Sequence, residues 1–335
     1  MADVKKMDYA CLRGNVTETR TKRLPGGWYW QPGVVGRLFK DYDHFILLGE
    51  SRALSTWAFC ILARLLKPKK KVYFWSHGWY GKETGLENLI KKILFKLPNG
   101  GIFTYGDYAR QLMIRTGFNA EKVYPIHNSL AYDEQLIIRG SIVMDYVYEK
   151  HFGNKNPNLI FVGRLTPVKR LDLILEALSI CNKQGEYFNL TFVGDGAERT
   201  NLESAVHQMG ITDQIWFYGA SYDEREIGEL FFNADICVAP GNIGLTAMHS
   251  MVYGTPCITH DDFSYQMPEF EVIEDGKTGA FFKRDDVNSL AEQIINWLNG
   301  AGKNRESVRR NCMKVIDEAW NPHYQISLLK EVLGE

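Results

Sequence analysis

The chain has 335 residues, 39 Lys and Arg against 40 Asp and Glu, and a 45% hydrophobic content, a length and composition that favour two domains with ordinary cores. Its six cysteines (Cys11, Cys60, Cys181, Cys237, Cys257, Cys312) are scattered without ligand-like spacing, which speaks against structural zinc and for a reduced, cytoplasmic protein. Met1 to Lys6 lead into polar sequence rather than a signal peptide, and the apolar run Trp57–Ala63 ends at Arg64, far short of the ~20 residues of a membrane helix.

Strand-like runs alternate with helical ones, the pattern of parallel sheets joined by crossover helices. Val16–Leu24 is a weak strand candidate. Strands are then predicted at His44–Leu48, Lys71–Trp75, Gly101–Tyr105 and Lys122–Ile126, with helices at Leu54–Leu66, Glu87–Lys96 and Tyr108–Thr116. One helical segment and the polar run GNKNPN occupy the stretch between Asn128 and Asn158, where the domain boundary is placed. Beyond it, strands are predicted at Leu159–Val162, Asn189–Val193, Gln214–Tyr218, Ile236–Ala239 and Pro256–Thr259. Helices are predicted at Leu171–Asn182, Glu198–Met209, Ile227–Asn233, Leu245–Tyr253, Val287–Leu298 and Arg305–Glu318. The expected fold is α/β, two doubly wound Rossmann-like domains facing across a cleft. Residues 1–150 form the first, 151–318 the second, and 319–335 a C-terminal helix packing back toward the first. Ligands of such sheets bind beyond the carboxyl ends of the strands. No apolar strand leading into a glycine-rich turn precedes His44, so the first domain is either reduced or the chain begins inside a longer protein.

The segment Asn158–Ala177 carries the clearest chemistry. An apolar strand turns at Gly163, Arg164 and Lys169 follow five residues apart, and an amphipathic helix begins at Leu171. The first helical N–H groups lack internal partners and the helix dipole is positive there. Arg164 can grip an oxygen pair with its fork, and Lys169 adds a point charge. The pattern reads as a diphosphate grip, against the plainer reading of a surface pair flanking a helix start.

Five stretches, GRLTPVKRLD, VGDGAERTNLESAVHQMGI, IWFYGASYDEREIGELFFNADICVAPG, GLTAMHSMVYGTPCIT and FEVIEDGKTGAFF, occur in the order seen in GT-B fold glycosyltransferases of family 4. Over about the last 180 residues the chain resembles that family, and over the first 130 it does so loosely. Arg170 stands where the family usually has glycine. The resemblance implies a retaining, metal-independent transferase that moves a sugar from a nucleotide-diphosphate donor and needs no cofactor. It assigns the diphosphate to Gly163, Arg164, Lys169 and the loop Asn242, Ile243, Gly244, Leu245 and Thr246, although Thr246 also reads as a polar first turn. The nucleoside falls to Gly194, Gly196, Tyr218, Gly219 and His249, with the base met largely by backbone near Phe217–Ala220.

One departure matters. The family's two glutamates, seven residues apart, align with Gly241 and His249, so both carboxylates are absent. His249 could still meet a ribose through a ring nitrogen. Asn242, Asp261, Asp262, Glu269 and Glu271 are the nearby candidates to compensate. The chain also resembles capsule and surface-polysaccharide transferases carrying GN-x-GLTA-x-HS with QMPEFE, which favours a functional variant over a dead copy.

In the first domain His77 ends a predicted strand and Glu50 follows another, so with Glu269 they are the catalytic candidates. A structural His77 and a helix-capping Glu50 are the alternatives. Trp28, Trp30 and Trp79 could stack on an acceptor sugar or be buried. Asn128 matches an asparagine after the last strand of the family's first domain. Residues 1–150 hold 23 Lys and Arg against 14 Asp and Glu. Leu86, Leu89, Ile90, Ile93, Leu94 and Leu97 form one helical face with Lys91, Lys92 and Lys96 on the other, and Lys67, Lys69, Lys70 and Lys71 are nearby in sequence. That helix could lie on an anionic membrane surface near a lipid-linked acceptor, making the protein peripheral, or simply pack on its own sheet. No nucleic-acid motif accompanies the charge. The reading is thus a glycosyltransferase of surface polysaccharide synthesis acting on a glycan or lipid-linked acceptor. A non-catalytic GT-B partner subunit that binds a nucleotide or sugar is the alternative. A sugar-nucleotide epimerase would need further cleft carboxylates that have no place in the sequence.

Overall fold

The computed structural model describes residues 16–334, so Cys11 and the opening residues read for a signal peptide lie outside the described residues. The chain divides into two compact units. One runs to Ser76 and includes Thr84–Phe103, and the other joins His77–Glu83 to the chain from Thr104 onward.

In the first unit, β1 (Lys22–Arg23) and β2 (Tyr29–Trp30) make a small antiparallel pair. The predicted strand over Val16–Leu24 shrinks to β1 because its residues are exposed and have no sheet face to cover. Then come β3 (His44–Leu48), α1 (Leu54–Leu66), β4 (Lys71–Ser76), α2 (Gly85–Phe95) and β5 (Gly101–Thr104). β3 and β4 run parallel, His44 beside Lys71 through Leu48 beside Trp75, and β5 lies next to β4. Phe59, Cys60 and Ala63 recur at helical spacing on α1 and are buried, with Phe59 packing edge-on to Phe45. Leu94 and Phe95 anchor α2 from its last turn, Phe95 against Phe74. On the rest of its apolar face Leu86, Leu89 and Ile93 are exposed and Ile90 is half-buried.

In the second unit the elements are α3 (Asp107–Arg115), β6 (Val123–Pro125), α4 (Tyr132–Arg139), α5 (Val147–Phe152), β7 (Asn158–Val162), α6 (Asp172–Lys183), β8 (Asn189–Val193), α7 (Arg199–Met209) and β9 (Ile215–Gly219). They continue with α8 (Glu224–Asn233), β10 (Ile236–Val238), α9 (Thr246–Val252), β11 (Cys257–His260), β12 (Gly279–Phe282), α10 (Val287–Asn299), α11 (Arg305–Ala319) and α12 (Pro322–Leu333). β7 to β12 form one parallel sheet in the order β12-β11-β10-β7-β8-β9. Its central strands read as continuous apolar runs because helices cover both faces. Leu159, Ile160, Phe161, Leu190 and Phe192 have no exposed surface.

The chain steps outward from β7 to β8 and β9, then returns to β10 on the other side of β7. The carboxyl ends of β7 and β10 therefore mark the topological switch point, where connections diverge and leave room for a ligand. Two helices, α4 and α5, stand where one was predicted. β12 is not among the predicted strands; its residues end the FEVIEDGKTGAFF stretch. α12 is held to the segment after β6: Gln325 Nε2 donates to the His127 carbonyl (3.0 Å) and Tyr324 Oη to that of Pro125 (3.2 Å).

Candidate functional site

Two glycine turns shape the carboxyl end of this sheet. A Cβ on Gly194 would lie 1.9 Å from the Gly163 carbonyl oxygen, and one on Gly196 would lie 2.3 Å from that of Leu165. Only glycine lets the turns after β7 and β8 touch backbone to backbone. Hydrogen bonds lock them: Gly163 N to the Val193 carbonyl (2.9 Å), Leu165 N to Asp195 (3.0 Å) and Gly194 N to Gly219 (2.8 Å). The turns after β7, β8 and β9 thereby surround a cavity of about 520 Å³ lined by Gly163, Arg164, Gly194, Asp195, Gly196 and the loop Ala220–Tyr222.

Arg164 is exposed and, among the described residues, makes no hydrogen bond or ion pair. Its fork is available to a ligand. Lys169 is differently placed. It ends the 3₁₀ turn Pro167–Lys169, and its Nζ donates to the Asn242 carbonyl at 2.5 Å and the Ile243 carbonyl at 3.4 Å. Burial lowers its pKa and the Glu269 charge partly restores it. The next residue, Arg170, adopts φ +48°, the left-handed conformation that explains the family's glycine there. Its guanidinium pairs with Asp172 and Asp285.

The loop after β10 is tied to that turn. Gly241 N donates to the Lys169 carbonyl (3.0 Å) and Asn242 N to that of Val168 (3.3 Å). Gly244 has φ +55°, and a Cβ there would lie 4.0 Å from the Lys169 ammonium. Not all of the amides in this expected diphosphate loop are free. Ile243 is fully buried and its N–H donates to Gln266 Oε1 (3.0 Å), so this amide is spent inside the protein. Thr246 turns its hydroxyl onto the Val162 carbonyl (3.0 Å), a structural use of the side chain at the start of α9. Leu245 is partly exposed beside it.

Two nucleoside candidates are also engaged elsewhere. His249 Nε2 meets Glu224 Oε1 at 2.9 Å, an oxygen that also accepts from Tyr253 Oη (2.7 Å) and Gln135 Nε2 (2.9 Å). Burial raises the Glu224 carboxyl, but these hydrogen bonds leave it below its ordinary range. The Tyr218 hydroxyl is held by Glu226, which Ser221 also contacts. Gly219 (φ +95°) instead makes the turn that leads to the cavity wall. Asp195, Ser221 and Tyr222 line the cavity without having been singled out. They sit in the turns whose glycines were recognised, which was the only available signal.

The QMPEFE run ties several of these segments together. Gln266 holds the loop after β10 and the end of β11, donating through Nε2 to Thr259 Oγ1 (2.8 Å). Glu269 is 2% exposed and accepts from Asn128 Nδ2 (2.9 Å). Glu271 caps α3, accepting from the Asp107 and Tyr108 amides at 2.7 and 3.0 Å. Asp262 pairs with Arg284, and Asp261 accepts from the Arg284 amide.

His77 is half-buried, its ring 4.7 Å from that of Tyr105. Trp79 is a core residue, 3% exposed and packed on Phe118, and so unavailable for stacking on a sugar. In the first unit Glu50 is exposed, while Trp28 lines a cavity of about 260 Å³ with Arg52, Leu86 and Ile90. Trp30 is half-buried in β2.

Residues 148–315 match the family described as glycosyl transferases group 1. The chain belongs to that family. Among its relatives is an uncharacterized 41.2 kDa protein in the cps region of Klebsiella pneumoniae, 25% identical over 229 residues, which span 68% of this chain and 55% of that protein. The amylovoran biosynthesis glycosyltransferase AmsK of Erwinia amylovora is 26% identical over 52% of this chain and 44% of its own length. The chain thus spans about half the length of these relatives. The Anabaena protein HepE, solved in complex with UDP, superposes with a TM-score of 0.68 over 90% of this chain and 80% of its own, at 16% identity. That likeness concerns the fold, the parallel-sheet α/β architecture of GT-B transferases. Among the described residues no helix is long and apolar enough to cross a membrane, and no group of three or more His, Cys, Asp and Glu could hold a metal.

Proposed function

We propose that this chain transfers a sugar from a nucleoside-diphosphate donor to a glycan or lipid-linked acceptor during surface polysaccharide synthesis, with retention of anomeric configuration. The observation carrying this reading is the 520 Å³ cavity at the carboxyl ends of β7, β8 and β9, with the free Arg164 on its wall. HepE, of like fold, was solved with UDP, and AmsK is described as a glycosyltransferase of amylovoran biosynthesis. The leaving diphosphate gathers negative charge as the glycosidic bond breaks. The Arg164 guanidinium, which orders on binding, and an ammonium already held by two carbonyls stabilise that charge without a metal. Lys169 keeps a proton for the phosphate beyond the two directed at Asn242 and Ile243.

The base packs at the Ala220–Tyr222 wall in this reading, and the division of labour falls near residue 150, donor side after it. Docking on the cytoplasmic membrane face is supported by the exposed Leu86, Leu89 and Ile93 on α2, followed in sequence by the exposed Lys96. A second reading, a non-catalytic partner that binds a nucleotide, is favoured by the engagement of His249 with Glu224 and by the bare Gly241. Release of nucleoside diphosphate from a panel of nucleotide sugars by the purified chain separates the two. Turnover supports the enzyme, and binding without turnover supports the partner.

A further inference from the structure

Glu269 presents an unsolved polar problem. Its side chain is 2% exposed, Oε1 accepts from Asn128, and Oε2 is buried with no hydrogen-bond partner among the described residues. A buried carboxylate oxygen left this way is costly and requires a hydrogen-bond donor. The turn Pro268–Val272 that carries it is tied by Gln266 directly to the loop Gly241–Ile243, through Ile243 N–H at 3.0 Å and the Gly241 carbonyl at 3.4 Å. Lys169, on the facing turn, feels the Glu269 charge, yet among the described residues the two form no ion pair.

A group that reaches Glu269 Oε2 near Lys169 must donate a hydrogen bond to a carboxylate and tolerate an ammonium. A phosphate oxygen fails the first condition and is repelled, whereas a hydroxyl meets both as donor and acceptor. The neutral polyol attached to a nucleoside diphosphate is its sugar. We propose that Glu269 Oε2 accepts a hydrogen bond from a hydroxyl of the transferred sugar, with Asn128 fixing the carboxylate. The inference rests on the nucleotide-sugar reading above.

The test compares affinities for UDP, GDP and ADP with those for their glucose, galactose and N-acetylglucosamine conjugates. It is run on wild type, Glu269→Gln and Asn128→Ala, each first checked for a cooperative melt. For the best-bound pair, Glu269→Gln raises the ratio of conjugate Kd to nucleotide Kd about tenfold or more, while bare nucleotide affinity stays within about threefold. Asn128→Ala, which keeps the carboxylate, shifts the ratio less and in the same direction, and decides the matter if Glu269→Gln does not fold. An unchanged ratio in the folded variants overturns the role of Glu269 and leaves the nucleotide-sugar reading intact. A wild-type chain that binds none of the nucleotides removes both.

Discussion

Gly241 and Val168 approach so closely that residue 241 has no room for a side chain: a Cβ there would lie 2.1 Å from the Val168 carbonyl oxygen. The same approach registers the turn carrying Lys169 on the loop carrying Asn242 and Ile243, whose carbonyls hold its ammonium. Glycine at position 241 is therefore a packing requirement of these two loops.

Placing at 241 the carboxylate that the sequence resemblance leads one to expect should harm the protein. Gly241→Glu should cost about 2 kcal/mol or more by forcing the two loops apart, seen as a lower urea midpoint at unchanged slope, with no gain in sugar transfer. A variant as stable as wild type would show that the loops separate freely.

The tryptophans separate into core and surface. Trp79→Ala should cost about 3–5 kcal/mol, since its ring is 3% exposed and packs on Phe118. Trp28→Ala, at the edge of an open cavity, should cost well under half as much. Thermal melts of the two variants give the comparison directly.

Glu271 imposes a pH dependence. Its carboxyl is pushed up to about 7, chiefly by burial, with the amides of Tyr108 and Asp107 pulling the other way. Between the ordinary carboxyl range and pH 7 the folded chain keeps a proton that the unfolded chain has released. Stability contributed by this group therefore falls as pH rises through that window. Urea midpoints at pH 5 and pH 7.5 should differ less in Glu271→Gln than in wild type, and an equal difference would show that another group sets the slope.

His249 is a structural residue on this account. His249→Ala removes one of three hydrogen bonds to Glu224 Oε1 and should cost about 1–2 kcal/mol. Nucleotide affinity, read by calorimetry, should change less than about threefold. A larger loss of affinity would return His249 to the ribose site.

The sheet and much of the cavity were legible in the sequence for local reasons. β3, α1 and β8 have the predicted limits because their apolar patterns are self-contained. Gly194 and Gly196 were recognisable because close backbone approach permits no other residue there, and Gly163 because its φ of +149° favours glycine. Side-chain commitments were not legible. The Ile243 amide is satisfied by Gln266 and His249 by Glu224, partners 23 and 25 residues away that only the folded chain brings together. The family's sequence pattern records where such groups sit along the chain, and burial decides which of them remain free.

The most direct test of the central claim is calorimetric titration of wild type, Arg164→Ala and Arg164→Lys with UDP, GDP and ADP. Arg164 is exposed and unpaired among the described residues, so both variants should melt within about 0.5 kcal/mol of wild type. The account predicts that one nucleotide binds wild type, that Arg164→Ala weakens it at least about tenfold, and that Arg164→Lys recovers only part of the loss because the bidentate fork is gone. Equal affinity in all three proteins would contradict it.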